Sequence, residues 1–84
     1  MLKTGWYKHH KGEFYKVIGV AQYTEDYLFY GDGESDQYLV IYEDKQGVTW
    51  ARPLNMFCEQ VKVGKKVVPR FTYLGDRMPT AVSV

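Results

Sequence analysis

Gly47-Val48-Thr49-Trp50-Ala51-Arg52-Pro53-Leu54-Asn55-Met56-Phe57 is the stretch on which the reading of this chain turns. It opens as a strand, because Val48, Thr49 and Trp50 are β-formers behind a glycine, and Pro53, which lacks an amide proton, stops the ladder. Pro53 also suits the first position of a helical turn, and Leu54, Met56 and Phe57 give that turn an apolar side before polar Glu59 and Gln60. A strand, a stop and one short helical plug are expected. Period 2 puts Val48, Trp50 and Arg52 on one strand face and Thr49 and Ala51 on the other. A guanidinium is almost never buried without a partner, so Arg52 should reach water and Trp50 should lie near the same rim.

Working outward, the densest β-forming run is 13–23, with Phe14, Tyr15, Val17, Ile18, Val20 and Tyr23. Strict alternation puts Tyr15, Val17, Gly19, Ala21 and Tyr23 on one face and Phe14, Lys16, Ile18, Val20 and Gln22 on the other. Both faces are partly apolar, as in a strand bent around a small barrel, and Gly19 marks the place for a bulge. Trp6 and Tyr7 lead into a polar run that ends at Gly12, a turn signal. Residues 38–43 form the next strand, and 48–52 return beside it as a hairpin. Residues 60–63 and 67–74 make a second hairpin around Gly64-Lys65-Lys66, and Pro69 places a bend or an edge in its second arm. The connection 24–37 is long for a compact domain, and within it residues 27–30 read as a short extra strand before a Gly-Asp-Gly turn.

The fold class is therefore mainly β: a small SH3-like barrel or roll of about five antiparallel strands with one short helical turn. Eighty-four residues make one domain, with a core at 5–74, an arm at 24–37 and a tail at 75–84 that is read as frayed or ordered. A chain of this size buries only about 60% of the surface its unfolded form exposes. The eight Tyr, four Phe and two Trp offset the small size, since each buried ring removes about 150–250 Å² from water. A large catalytic cleft is not expected.

Cys58 is the only cysteine, which excludes an intramolecular disulfide or a multi-cysteine metal site and favours a reducing compartment. The N-terminus has no apolar run of about 7–15 residues, so neither a secretory signal nor a membrane span is expected, and the location is read as cytoplasmic. The net charge of +1 hides an uneven distribution. Residues 25–44 hold seven acidic side chains and no Lys or Arg, between two basic flanks. Such asymmetry either steers a partner or merely solvates a loop.

Four blocks then point to a family. Tyr7-Lys8-His9-His10-Lys11-Gly12, Tyr15-Lys16-Val17-Ile18-Gly19-Val20-Ala21, Trp50-Ala51-Arg52-Pro53-Leu54-Asn55-Met56-Phe57 and Val67-Val68-Pro69-Arg70-Phe71 occur in this order. The chain resembles, from about Gly5 to Leu74, the bacterial family catalogued as domain of unknown function 1653. The resemblance implies a small SH3-like β fold in a bacterial or phage protein and implies no activity. The connection after Ala21 is longer, and the turn between Tyr42 and Trp50 shorter, than in the family pattern.

Candidate sites follow from residue type. Adjacent His9 and His10 are ligand types, but neighbouring side chains diverge along a strand and no further Cys or His is near in sequence, so no metal and no cofactor are expected. Cys58 has no catalytic context and reads as a small buried hydrophobe. Asp32, Glu34, Asp36 and Glu43 imitate calcium-loop spacing, yet Gln37 replaces the required Gly, and a strand from 36 to 43 would part the ligands by about 23 Å. No set of base, nucleophile and oxyanion donor can be grouped, so an enzyme is not expected.

The binding candidates are Tyr7, His9, Trp50, Arg52 and Arg70, a cationic and aromatic patch. The alternative is that the two arginines are tied to Glu59, Glu43 or backbone carbonyls. Tyr27, Phe29 and Tyr30 either cap the barrel or face another chain. The function expected is an uncharacterised, non-enzymatic binding or accessory module whose partner is a protein, a peptide or a second copy. Nucleic acid, held by Lys8, Lys11, Lys16, Trp50, Arg52 and Arg70, is the alternative, and a membrane is not expected. If the arm is the partner surface, replacing Phe29 and Tyr30 with Ser abolishes association in sedimentation velocity while the circular dichroism spectrum stays unchanged.

Overall fold

The aromatic-rich run behind Gly12 pairs on both sides, and the sheet grows from it. The computed structural model describes residues 2–24 and 38–78. In chain order the elements are β1 (Gly5–His9), β2 (Phe14–Gln22), β3 (Tyr38–Glu43), β4 (Thr49–Pro53), α1 (Leu54–Phe57), β5 (Gln60–Val63), β6 (Lys66–Pro69) and β7 (Phe71–Gly75). A five-stranded antiparallel sheet has the order β4-β3-β2-β1-β7, and β5 and β6 form a separate hairpin. The mainly β class with one short helix is as expected. The strands number more than five for two reasons.

The first is β1, where the sequence showed only Trp6 and Tyr7 ahead of a polar run. Tyr7 faces inward and Lys8 outward, a half-buried alternation too short to stand out. The second is Arg70, which interrupts the last run, so that Pro69 ends a strand in one sheet and Phe71 starts one in the other. The bend expected at Pro69 is a change of sheet. Residues 27–30, the acidic arm with its calcium-like spacing, and the tail beyond residue 78 lie outside the described residues.

The alternation in β2 breaks where Gly19 marked it. Val17 pairs with Tyr42, but Gly19 pairs with Ile41, so Ile18 is an extra residue in a β-bulge. The bulge corrects the strict two-face reading: beyond it Val20, not Gly19, pairs with buried Val40 and packs on the core. Ile18, freed from the ladder, is 48% exposed.

The core is Tyr7, Val17, Val40, Tyr42, Phe57 and Phe71. Phe57 and Phe71 stack with ring centres 4.0 Å apart and planes 3° from parallel. Tyr7 meets Phe57 edge-on at 5.4 Å, and Tyr42 does so at 5.5 Å, geometries that suit the aromatic quadrupole. Four-residue α1 is too short to be stable by itself; it holds because Phe57 plugs the sheet. Pro53 does not open this helix as its first residue. It stays extended, with φ −54° and ψ 140°, as the residue before it.

Among the described residues no helix is long and apolar enough to cross a membrane.

Gly5 is where backbones meet most closely. Its φ is +128°, and a Cβ there would lie 2.6 Å from the Gly75 carbonyl oxygen, so both conformation and contact require glycine. Gly5→Ala, a change that stabilises by up to about 1 kcal/mol where the backbone permits it, should here destabilise the fold by more than that amount, measured by urea unfolding.

Candidate functional site

Asp44, at the turn between β3 and β4, organises the neighbourhood of Trp50. Asp residues favour turns because the carboxylate accepts from nearby backbone N–H groups. Here Asp44 Oδ1 accepts from the N–H of Gln46 at 2.9 Å and of Val48 at 3.0 Å. Its Oδ2 accepts from the Trp50 indole N–H at 2.9 Å. The indole is thereby oriented although 49% of Trp50 is exposed. The Trp50 bond first, and the backbone bonds after it, hold the Asp44 carboxyl below the usual carboxylate range.

Trp50, Arg52 and Asp44, with Tyr15 and Tyr42, line an open groove of about 220 Å³. Tyr15 and Tyr42 form its floor, edge to face at 5.5 Å. The Tyr15 hydroxyl donates to Glu13 Oε1 at 3.0 Å. Arg52 Nε donates to the Tyr42 hydroxyl at 3.3 Å, a long bond that leaves the terminal nitrogens of the guanidinium without a carboxylate partner among the described residues. A second shallow depression, of about 240 Å³, continues along the same strand past Ala51, Pro53 and Met56. Trp50 and Arg52 thus share the rim that period 2 placed them on.

The other candidates are placed differently. Tyr7 is a core residue, 4% exposed, with its hydroxyl donating to the Lys3 carbonyl; it presents no surface to a ligand. Arg70 is held on three sides. Its N–H donates to the Glu59 carbonyl, its carbonyl accepts from the His10 N–H, and its Nη2 lies 3.0 Å from Glu59 Oε1. This is the tie to Glu59 weighed above, and it pins the crossing from β6 to β7. Arg52 and Arg70 therefore part ways, one facing the groove and one serving the frame.

His9 packs edge-on against Phe71 at 5.0 Å, and its Nδ1 accepts from the Lys11 N–H at 3.1 Å. Burial first, then His10, Arg70, Lys11 and Arg52, pushes its pKa down, so the neutral ring dominates at pH 7. The His9 and His10 rings do not diverge as strand neighbours do. They lie 4.4 Å apart, because His10 has already left the strand for the turn. Among the described residues no group of three or more His, Cys, Asp or Glu stands together as a metal site. Cys58 is exposed at the end of α1, not buried as read from sequence. Partial desolvation pushes its thiol up, which disfavours the nucleophilic thiolate.

Lys8 and Lys16 lie on the opposite sheet face from the groove, Lys16 beside Trp6 and Lys8 beside Phe14. Tyr27, Phe29 and Tyr30 lie outside the described residues. Sequence reading missed Asp44, Tyr15 and Tyr42 as members of this site. The Asp-x-x-Gly turn at 44–47 was the available signal, but only the β3–β4 register showed that the carboxylate reaches Trp50.

Fold and site together define a small, mainly β protein with an open groove carrying an oriented indole and an arginine. The chain belongs to the family described as protein of unknown function (DUF1653), whose model matches residues 5–73. It is similar to a crystal structure of a DUF1653 protein from Bordetella bronchiseptica, at 29% identity and a TM-score of 0.70, over 94% of this chain and 95% of that one. No curated protein matches it. The family membership expected from the four sequence blocks is thus shown, and the family description names no activity.

The depressed Asp44 carboxyl fixes a sign. Its contribution is present above its ordinary value of 3.8 and is lost as pH falls through the lower folded value. The Trp50 indole N–H resonance should therefore stay constant from neutral pH down to that range and shift below it, and Asp44→Ala should move it at every pH.

Proposed function

We propose that this chain is a non-enzymatic binding module that takes an extended segment of a partner protein along β4. The observation that carries this reading is the open groove of Tyr15, Tyr42, Asp44, Trp50 and Arg52, with a half-exposed indole fixed in advance. A ring already oriented loses little conformational freedom on binding, which is what makes Trp and Arg effective anchors in interfaces. The edge beside the groove supports the same reading. β4 pairs only with β3, so its other side is open to strand addition among the described residues.

The pairing pattern says which groups are offered. The Asp44 N–H bonds the Val48 carbonyl, and the ladder runs on through Tyr42↔Trp50 and Val40↔Arg52. Antiparallel pairs alternate between bonded and non-bonded, so Trp50 and Arg52 spend their main-chain groups on β3 while Thr49, Ala51 and Pro53 turn theirs outward. The one residue without an N–H therefore sits where the ladder does not need it. A docked segment would find donors at Thr49 and Ala51, acceptors at Thr49, Ala51 and Pro53, an indole for an apolar side chain and Arg52 for a carboxylate.

No observation favours nucleic acid over this. Lys8 and Lys16 face away from the groove, Arg70 is occupied by Glu59, and Asp44 would repel a phosphate beside Trp50.

The test is a display selection of random decapeptides against the purified chain. Enriched peptides should change Trp50 emission in a Trp6→Phe background and lose binding by about tenfold or more with Trp50→Ala or with Ala51→Pro. Ala51→Pro removes only an outward N–H, so the fold should survive it. Peptides that bind both variants as tightly as the parent, or a salt-sensitive response to single-stranded oligonucleotides alone, would overturn the proposal.

A further inference from the structure

The outward groups of β4 are complementary to themselves. Its outward donors are the N–H groups of Thr49 and Ala51, its outward acceptors are the carbonyls of Thr49, Ala51 and Pro53, and Thr49 to Ala51 is exposed. Resting on the reading of β4 as a docking edge, we propose that this edge pairs with β4 of a second copy, antiparallel about a two-fold axis through Ala51. In that register Ala51 exchanges both main-chain bonds with the partner's Ala51, and the Thr49 N–H meets the carbonyl of the partner's Pro53. Every outward donor is satisfied, and the proline falls opposite a residue whose own N–H still finds an acceptor.

Side chains select this register over its neighbours. A two-fold axis through Trp50 instead would bond the main chains equally well, but it sets Trp50 against the partner's Trp50 and leaves Arg52 beside the partner's Val48. The axis through Ala51 sets Trp50 against the partner's Arg52 at a non-bonded pair, the kind in which side chains approach most closely. There a guanidinium with no carboxylate partner among the described residues meets a half-exposed indole whose N–H already carries the Asp44 carboxylate. Cation–π attraction and charge complementarity act together, and symmetry repeats the contact. Two open edges are also removed at once, joining the two five-stranded sheets into one continuous sheet.

The expected dimer is weak, because an edge contact of this length covers less surface than a permanent interface. Site-directed cross-linking reads it without requiring it to be stable. In a Cys58→Ser background, Ala51→Cys puts two thiols at a bonded pair with Cα atoms about 5.5 Å apart, within disulfide reach. Thr49→Cys puts them four positions apart along the strand, about 13 Å. Under the same mild oxidant the Ala51→Cys dimer should form about tenfold faster, as pairing raises the local thiol concentration, and adding Arg52→Glu should abolish the difference while the melting temperature is kept.

Equal rates for the two cysteines, or faster reaction at position 49, would overturn the proposal. If the rates are equal but selected peptides bind the parent and not Ala51→Pro, self-pairing alone fails and the docking edge stands. If both measurements are negative, β4 is not a docking edge.

Discussion

The stack of Phe57 on Phe71 is the contact on which the structure depends. One ring comes from a helix of four residues and the other from the first position of β7, so this pair ties the plug to the far edge of the sheet. Tyr7 and Tyr42 abut Phe57 edge-on from β1 and β3, which brings most of the main sheet into contact with a single side chain. A chain this short has few aliphatic residues to spare for its interior. Rings, each covering a large area with only two rotatable bonds, close the core at low entropic cost.

The groove is a by-product of that closure. Tyr42 turns its ring to Phe57 and Phe71 while its hydroxyl lies at the surface, accepting from Arg52. Tyr15 does the same, packing on Phe71 and reaching Glu13 with its hydroxyl. The floor of the site is therefore the outer side of the core, as rigid as the packing beneath it. Trp50, above the floor, is held from the side by the carboxylate of a turn residue. The members of this surface orient one another: Asp44 holds the Trp50 indole, and the Tyr42 hydroxyl accepts from Arg52.

Much of this was legible in the residues themselves. Residues 38–43 and 60–63 show as strands from composition alone and fall where expected; Gly19 signals the bulge. The shared rim of Trp50 and Arg52 follows from period 2. What escaped has a common cause. Tyr7 and Arg70 are residue types that serve equally in a core, a frame or a site, and nothing local distinguishes these uses. Tyr7 went to the interior because β1 is flanked on both sides by other strands. Arg70 went to the frame because Glu59, distant in sequence, stands across the sheet change. Cys58 reads as buried because a free cysteine behaves as a small hydrophobe, but α1 is so short that only Phe57 is buried on it.

By itself the sequence determined the class of fold, the family and the pairing of an indole with a guanidinium on one strand face, because these rest on local propensity, residue order and side-chain alternation. Tertiary structure alone decided which aromatic rings are interior, which arginine is already engaged, and that Asp44 reaches Trp50. Those outcomes depend on strand register and sheet order, where a single bulge reverses the facing of every residue beyond it.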